Sequence, residues 1–384
     1  MNPRWKLSLL AATSVAVAAC SDTANLTDPA GGPLFSRSDN DRGNTGAVYV
    51  ASNATAGNEV QVFHRRGDGS LATPVAFATG GAGTGGGLGN QGGVVLSQDN
   101  QRLFVVNAGS SEISMFAVRP DGLELLQRIR SGGERPVSIA VSDELVYVLN
   151  AGGTGNITGF KLDQHYRTLR PIAGSSRPLS SATAGASQVS FNPDGEVLVV
   201  TEKATNRIST YTVGDRGLAR GPNAQASVGA TPFGFAFAGN GTLVVSEAFG
   251  GAPDASALSS YQLGRGGRLH VVSASVGTTE TAACWVVITG NGRFAYTTNT
   301  GSGTVSGYRI GHDGALALLD QDGVTGTTGA GPIDMALTTN SRYLYSLDGA
   351  AGGISTFGVN ADGSLTAQTG VTGLPAGANG LAAR

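Results

Sequence analysis

Glu202 and Glu247 are the residues with the clearest chemical potential in this chain. Each ends an apolar run, Val197-Leu198-Val199-Val200-Thr201 and Leu243-Val244-Val245-Ser246, in a slot that five other copies of the pattern fill with Asn or Asp. Asn and Asp at such places bond nearby backbone amides and shape turns, which glutamate does poorly. A glutamate there reads as a general base that polarises water, or as half of an ion pair with Lys203, Arg135 or Arg177. Glu202 and Glu247 are therefore the catalytic candidates. Arg135, Gln188, Trp285 and Asp334 sit at or near the starts of other apolar runs and, with Asn107 and Asn299, are the candidates for holding a substrate. Trp285 reads equally as a stacking platform or as a plug, and the turn role remains open for the Asn positions. Cys284, with no histidine near it in sequence, reads as a buried small hydrophobe.

Several chemistries are excluded by spacing. The four histidines form no zinc pattern, so no metal is expected. Gly81-x-Gly83-x-x-Gly86 leads into a strand and not a helix, which fails the context test for a dinucleotide site and leaves a flexible loop as the reading of 80–89. No Gly-x-Ser-x-Gly elbow and no haem-attachment motif occurs, and no cofactor is expected. A net charge of -2 offers no basic stripe for phosphates, so nucleic acid is not an expected partner.

What must position these residues is a repeat. The segment 102–123 reads as a strand ending in Asn107, a Gly/Ser turn, a second strand, a Pro-Asp-Gly turn and the start of a third. The slot recurs at Asn53, Asn107, Asn150, Glu202, Glu247, Asn299 and Asp348, and each next strand carries one aromatic: Phe63, Phe116, Phe160, Tyr211, Tyr261, Tyr308 and Phe357. Spacings of 43 to 54 residues suit four-stranded blades. The expected fold is all-β: a seven-bladed β-propeller over 47–384. Repeat one lacks a preceding strand, and Asn379-Gly380-Leu381-Ala382-Ala383 has the character to supply it, so the C-terminal strand is expected to close the ring. In this arrangement the seven slots ring one mouth of the central channel.

Ahead of the repeats, Arg4 and Lys6 precede an apolar run from Leu7 to Ala19 that is too short to span a bilayer, which marks an export signal. Its end, Val17-Ala18-Ala19-Cys20, resembles the lipobox of bacterial lipoproteins. The expectation is a signal peptide over 1–20, lipid on Cys20, a flexible linker over 21–46, and a monomer that meets the membrane of the cell envelope only through that lipid.

The blade pattern L-F-V-x-N-x-x-S-x-x-I-S-x-F-x-V-x-x-D-G-x-L resembles the lactonase-like seven-bladed propellers, a family that includes 6-phosphogluconolactonases and carboxymuconate cyclases. Phe191-Asn192-Pro193-Asp194-Gly195 followed by Leu198-Val199-Val200-Thr201-Glu202 is similar to one of its segments, and the resemblance puts Glu202 in the family's cleft. It implies hydrolysis of a sugar or carboxylated lactone, with Glu202 polarising water and Glu247 or Arg135 orienting the substrate. The chain departs from the family at Ala186-Ser187-Gln188, where Pro-Arg-His is usual, and at Pro232-Phe233, where Pro-Arg is usual. Tyr147-Val148-Leu149-Asn150 is similar to the Tyr-Val-Thr-Asn repeats of surface propellers, which implies binding of a ligand or protein without catalysis.

Overall fold

The computed structural model describes residues 44–163 and 167–384, so the signal peptide, Cys20 and nearly all of the linker lie outside the described residues. Strand-forming runs and tight turns assemble into seven antiparallel sheets, each four strands deep along its path. In blade 2, for example, Val94–Leu96, Arg102–Asn107, Glu112–Arg119 and Gly122–Arg130 pair in chain order from the inside outwards. The other innermost strands are Pro136–Ser142, Ala186–Phe191, Pro232–Phe237, Ala283–Ile288 and Pro332–Leu337, in blades 3 to 7. Blades 3 and 6 add short fifth segments, Arg177–Pro178 and Gly326–Thr327. In blade 1 the inner strand is Asn379–Ala383, which pairs with Asn44–Ala51, Tyr49 opposite Ala382. The C-terminal strand therefore closes the ring, and the first described strand starts at Asn44 instead of Ala47.

The core lies between blades, because a sheet with two apolar faces must bury both. The third-strand aromatics Phe63, Phe116, Phe160, Tyr211, Tyr261, Tyr308 and Phe357 are all at most 2% exposed and are shared among six separate apolar clusters, with no single layer running through all of them. A second row, on the second strands, joins neighbours by their hydroxyls. Tyr147 Oη donates to the Gly217 carbonyl at 2.6 Å, Tyr296 to Gly363 at 2.8 Å and Tyr345 to Gly69 at 2.7 Å. The last of these runs from blade 7 to blade 1 and so crosses the seam.

Two backbone features recur where a chain enters an inner strand. The residue just before it is left-handed in five blades: Arg135 (φ 51°), Gly185 (φ 60°), Thr231 (φ 59°), Ala282 (φ 60°) and Gly331 (φ 62°). For Thr231 and Ala282 this conformation is costly, and it persists only because the surrounding structure imposes it. Next, a β-bulge interrupts the pairing with the second strand, between Pro136 and Ser138, Ala186 and Gln188, and Pro332 and Asp334. Bulges re-aim the side chain that follows them. The sharp turn and the bulge together set the direction of Ser138, Gln188 and Asp334.

Deleting 379–384 should lower the melting temperature sharply. The deletion removes the inner strand of blade 1, leaves Asn44–Ala51 as an open edge and exposes apolar surface that Leu381 and Ala382 cover. A truncated protein that melts with the parent in a calorimetric scan would overturn this account of closure.

Candidate functional site

Every inner strand has one edge paired to its own blade and one edge facing the channel. The free edge presents amides and carbonyls, and leaving one buried and unpaired costs about 1–3 kcal/mol. Side chains of the neighbouring blades meet that demand. Gln188 Nε2 donates to the Phe235 carbonyl at 2.9 Å while its Oε1 accepts from the Phe235 amide at 2.7 Å, joining blade 4 to blade 5. Ser138 Oγ accepts from the Val189 amide at 3.1 Å, joining blade 3 to blade 4. Asp334 accepts from its neighbour Met335 at 2.8 Å and from the Leu381 amide at 2.9 Å, joining blade 7 to blade 1. These three residues follow the bulges, and each is at most 7% exposed. They form a belt across the channel.

The segment between blades 1 and 2 completes the belt. Gln91 bonds Val286 of blade 6 in the same two-sided way, at 2.8 and 3.1 Å, and its own amide donates to the Ser187 carbonyl of blade 4 at 3.1 Å. Asn90 donates through Nδ2 to the Val137 carbonyl of blade 3 and accepts at its carbonyl from Trp285 Nε1 at 2.6 Å. A side chain at Gly234 would exclude this arrangement, since a Cβ there would lie 2.2 Å from Gln91 Oε1. Above the belt, the Gly89 carbonyl accepts from Lys203 Nζ, which lies 4.4 Å from the centre of the Phe233 ring, and that ring packs 5.0 Å from Trp285. Burial pushes the Lys203 amine down to about 8 and the Cys284 thiol up to about 11, and Cys284 packs as a small hydrophobe. The segment read as a flexible loop over 80–89 thus leads into a plug fixed to blades 3, 4 and 6. Trp285 is a part of that plug.

The second-strand slots lie level with the starts of the inner strands, Glu202 opposite Ala186, Glu247 opposite Pro232 and Asn299 opposite Ala283, and Asn107 ends the second strand of blade 2. All four side chains are wholly buried. Each bonds a serine of the adjacent third strand, and the polarity of a connecting segment decides which residue type fits. Asn107 Nδ2 donates to Ser114 Oγ at 2.8 Å, which frees the serine proton for the Thr79 carbonyl at 2.8 Å. Asn299 does the same with Ser306, whose proton goes to the Gly323 carbonyl at 2.6 Å. In the acidic blades the connecting segment presents an amide instead of a carbonyl. Glu202 accepts from the Ser180 amide at 3.0 Å, from Ser209 Oγ at 2.8 Å, from Thr205 Oγ1 at 3.1 Å and from the Ser180 hydroxyl. Glu247 accepts from the Gly229 amide at 2.7 Å and from Ser259 and Ser275 at 2.6 Å each. Asp348 accepts from the Gly329 amide at 3.1 Å and from Ser355 at 2.5 Å. A carboxylate appears where several donors converge, a backbone amide among them, and an amide where a carbonyl must be met through the serine. No salt bridge reaches Glu202 or Glu247 among the described residues.

The structure therefore brings Gln188, Trp285 and Asp334 together on the channel and leaves Arg135 exposed at the mouth, beside Lys203 electrostatically. Asn90 and Gln91 were not legible as site residues. Their one sequence signal is a pair of amides flanked by glycines just ahead of a three-residue inner strand.

Asp334 supplies a pH signature. Complete burial pushes its carboxyl up to about 8, against the lowering effect of the Met335 and Leu381 amides. An unfolded chain ionises the same group near 4. Between those values the unfolded state gives up a proton that the folded state keeps, so this group's contribution to stability falls as pH rises from about 4 to 8 and is flat outside that window. The Asp334→Asn variant should lose this dependence, its melting temperature gaining on the parent's across the window. A constant difference from pH 4 to 8 would show that the carboxyl titrates normally.

With this geometry in hand, likeness to other proteins is informative about fold and about where the likeness stops. The family model described as "Lactonase, 7-bladed beta-propeller" matches residues 44–178 and 248–380. A putative 6-phosphogluconolactonase from Bacteroides fragilis NCTC 9343 is 18% identical, with a TM-score of 0.68 over 92% of this chain and 100% of that one. The periplasmic gluconolactonase PpgL of Pseudomonas aeruginosa is 15% identical, with a TM-score of 0.68 over 87% and 98%. A putative 6-phosphogluconolactonase from Bacteroides uniformis ATCC 8492 is 17% identical, with a TM-score of 0.70 over 88% and 99%. At such identities the likeness concerns fold alone. No curated protein matches the sequence. The stretch that the family model leaves unmatched, 179–247, carries Gln188, Glu202, Phe233 and Glu247. The match on both sides of that stretch covers well over half of the chain, and the chain belongs to the lactonase seven-bladed β-propeller family.

Proposed function

We propose that this protein is an envelope-anchored propeller that binds a ligand or protein partner without hydrolysing it. One observation carries the reading: the groups that would hydrolyse a lactone are committed to holding the fold together. Glu202 is fully buried and surrounded by four donors from the protein itself. Gln188 is committed at both ends to Phe235, and Phe233 presents a ring where the family carries a cation. Hydrolysis needs a base within reach of water and a donor aimed at the developing oxyanion, and these residues supply neither to an open space.

Hydrolysis of a sugar or carboxylated lactone is the competing reading. Family membership and the fold shared with a periplasmic gluconolactonase favour it. A panel of glucono-, 6-phosphoglucono- and carboxymuconolactones, assayed with the parent and with Glu202→Gln, separates the two. The expected result is no turnover above buffer with either protein, together with a loss of about 1–3 kcal/mol of stability in the variant, whose new amide faces the Ser180 donor. Turnover by the parent would overturn the binding reading.

The anchor rests on the sequence Val17-Ala18-Ala19-Cys20. Labelling with a radioactive fatty acid should mark the parent and not Cys20→Ala, and globomycin should block processing of the parent only. Identical processing of the two would remove the anchor from the proposal.

A further inference from the structure

Below the belt the channel widens on the other face of the ring into an open-mouthed hollow of about 600 Å³, a size typical of small-molecule sites. Six blades contribute inner-strand residues to its wall, and blade 3 does not. The wall carries no Asp, Glu, Lys, Arg or His. Phe191, Phe237, Ile288 and Leu337 line it, and the last three of these are partly exposed. At its inner end stand Gln91 and Gln188, whose amides are committed to strand edges and offer little to a charged guest. The polar side chains Ser97, Gln98, Asn100 and Thr339 lie on the turns at the rim.

We propose that this lower chamber binds an uncharged, largely apolar small molecule that carries a ring. The inference rests on the reading that the chain binds without hydrolysing, and it names the class of ligand and the end of the channel that takes it. Three physical points select that class. Apolar wall left in water gains about 25 cal/mol for each Å² that a ligand covers. An anion would lose its hydration with no cation to replace it, which excludes phosphorylated and carboxylated lactones from this chamber. The belt closes the inner end with hydrogen bonds already made, so a guest enters from the turn side and need not break the ring.

The neutral fluorophore N-phenyl-1-naphthylamine tests this on the whole protein. Two variants accompany the parent: Ala236→Trp, which fills the chamber with a ring, and Ser190→Asp, which sets a carboxylate in its wall. Far-ultraviolet dichroism and melting identify which variants fold, and the second serves if the first does not. The expected result is saturable enhancement with the parent, at least about tenfold weaker binding in each folded variant, as the loss of one ring's worth of buried surface requires, and no displacement by 6-phosphogluconate. Absence of saturable binding, displacement by 6-phosphogluconate, or binding that survives unchanged in a folded variant would overturn the inference. Lactone turnover by a protein that still binds the probe in this way would instead overturn only the reading on which the inference rests.

Discussion

The free edge of the innermost strands is the constraint on which the rest of this structure depends. A four-stranded blade pairs its inner strand on one side only, and the other side faces the axis, where Ser138, Gln188 and Asp334 are buried. Each unpaired amide or carbonyl there costs on the order of 1–3 kcal/mol, which a marginally stable fold cannot leave unanswered many times. The bulge, the left-handed entry residue and the amides of Gln91 and Gln188 are parts of one answer. Even Asp334, whose complete burial disfavours its charge, is held by the two backbone donors that need an acceptor.

The fold was legible because it is written seven times. Alternating runs, Asx-Gly turns and one aromatic per blade are local signals, and the closing strand could be recognised by what the first repeat lacked. The site was less legible, for a reason visible in the Glu202 slot. Whether a second strand ends in Asn or in an acid depends on whether a segment some 20 to 30 residues away turns an amide or a carbonyl towards it, as Ser180 does for Glu202 and Thr79, through Ser114, for Asn107. Nothing in the local pattern carries that sign. Departure from the repeat was a sound guide to where something differs and a poor guide to what. Gln188, Trp285 and Asp334 do sit near the starts of apolar runs, but the partners Phe235, Asn90 and Leu381 come from outside their own blades.

Family likeness and loss of likeness have the same origin. Residues that build a blade recur along this chain because every blade solves the same packing problem, and the family model and the distant structures share that fold. Residues that face the axis answer to only one or two neighbours, as Gln188 does to Phe235. Within 179–247 a wall that could have held charge holds an amide and a phenyl ring, while the blades behind it keep their form.

The bonds of Gln91 have a consequence for how the ring comes apart. Repeat arrays in which each unit touches only its neighbours can fray from either end. Here the side chain and backbone of Gln91 tie the segment between blades 1 and 2 to blades 4 and 6 across the axis, and Asn90 ties it to blade 3. No blade among these can peel away alone. Amide hydrogens of the belt are expected to exchange with solvent only through global opening, and those of the outer strands through local fluctuations. On that account the part of the molecule that opens last is the bonded belt across its axis, and the perimeter is mechanically the softest.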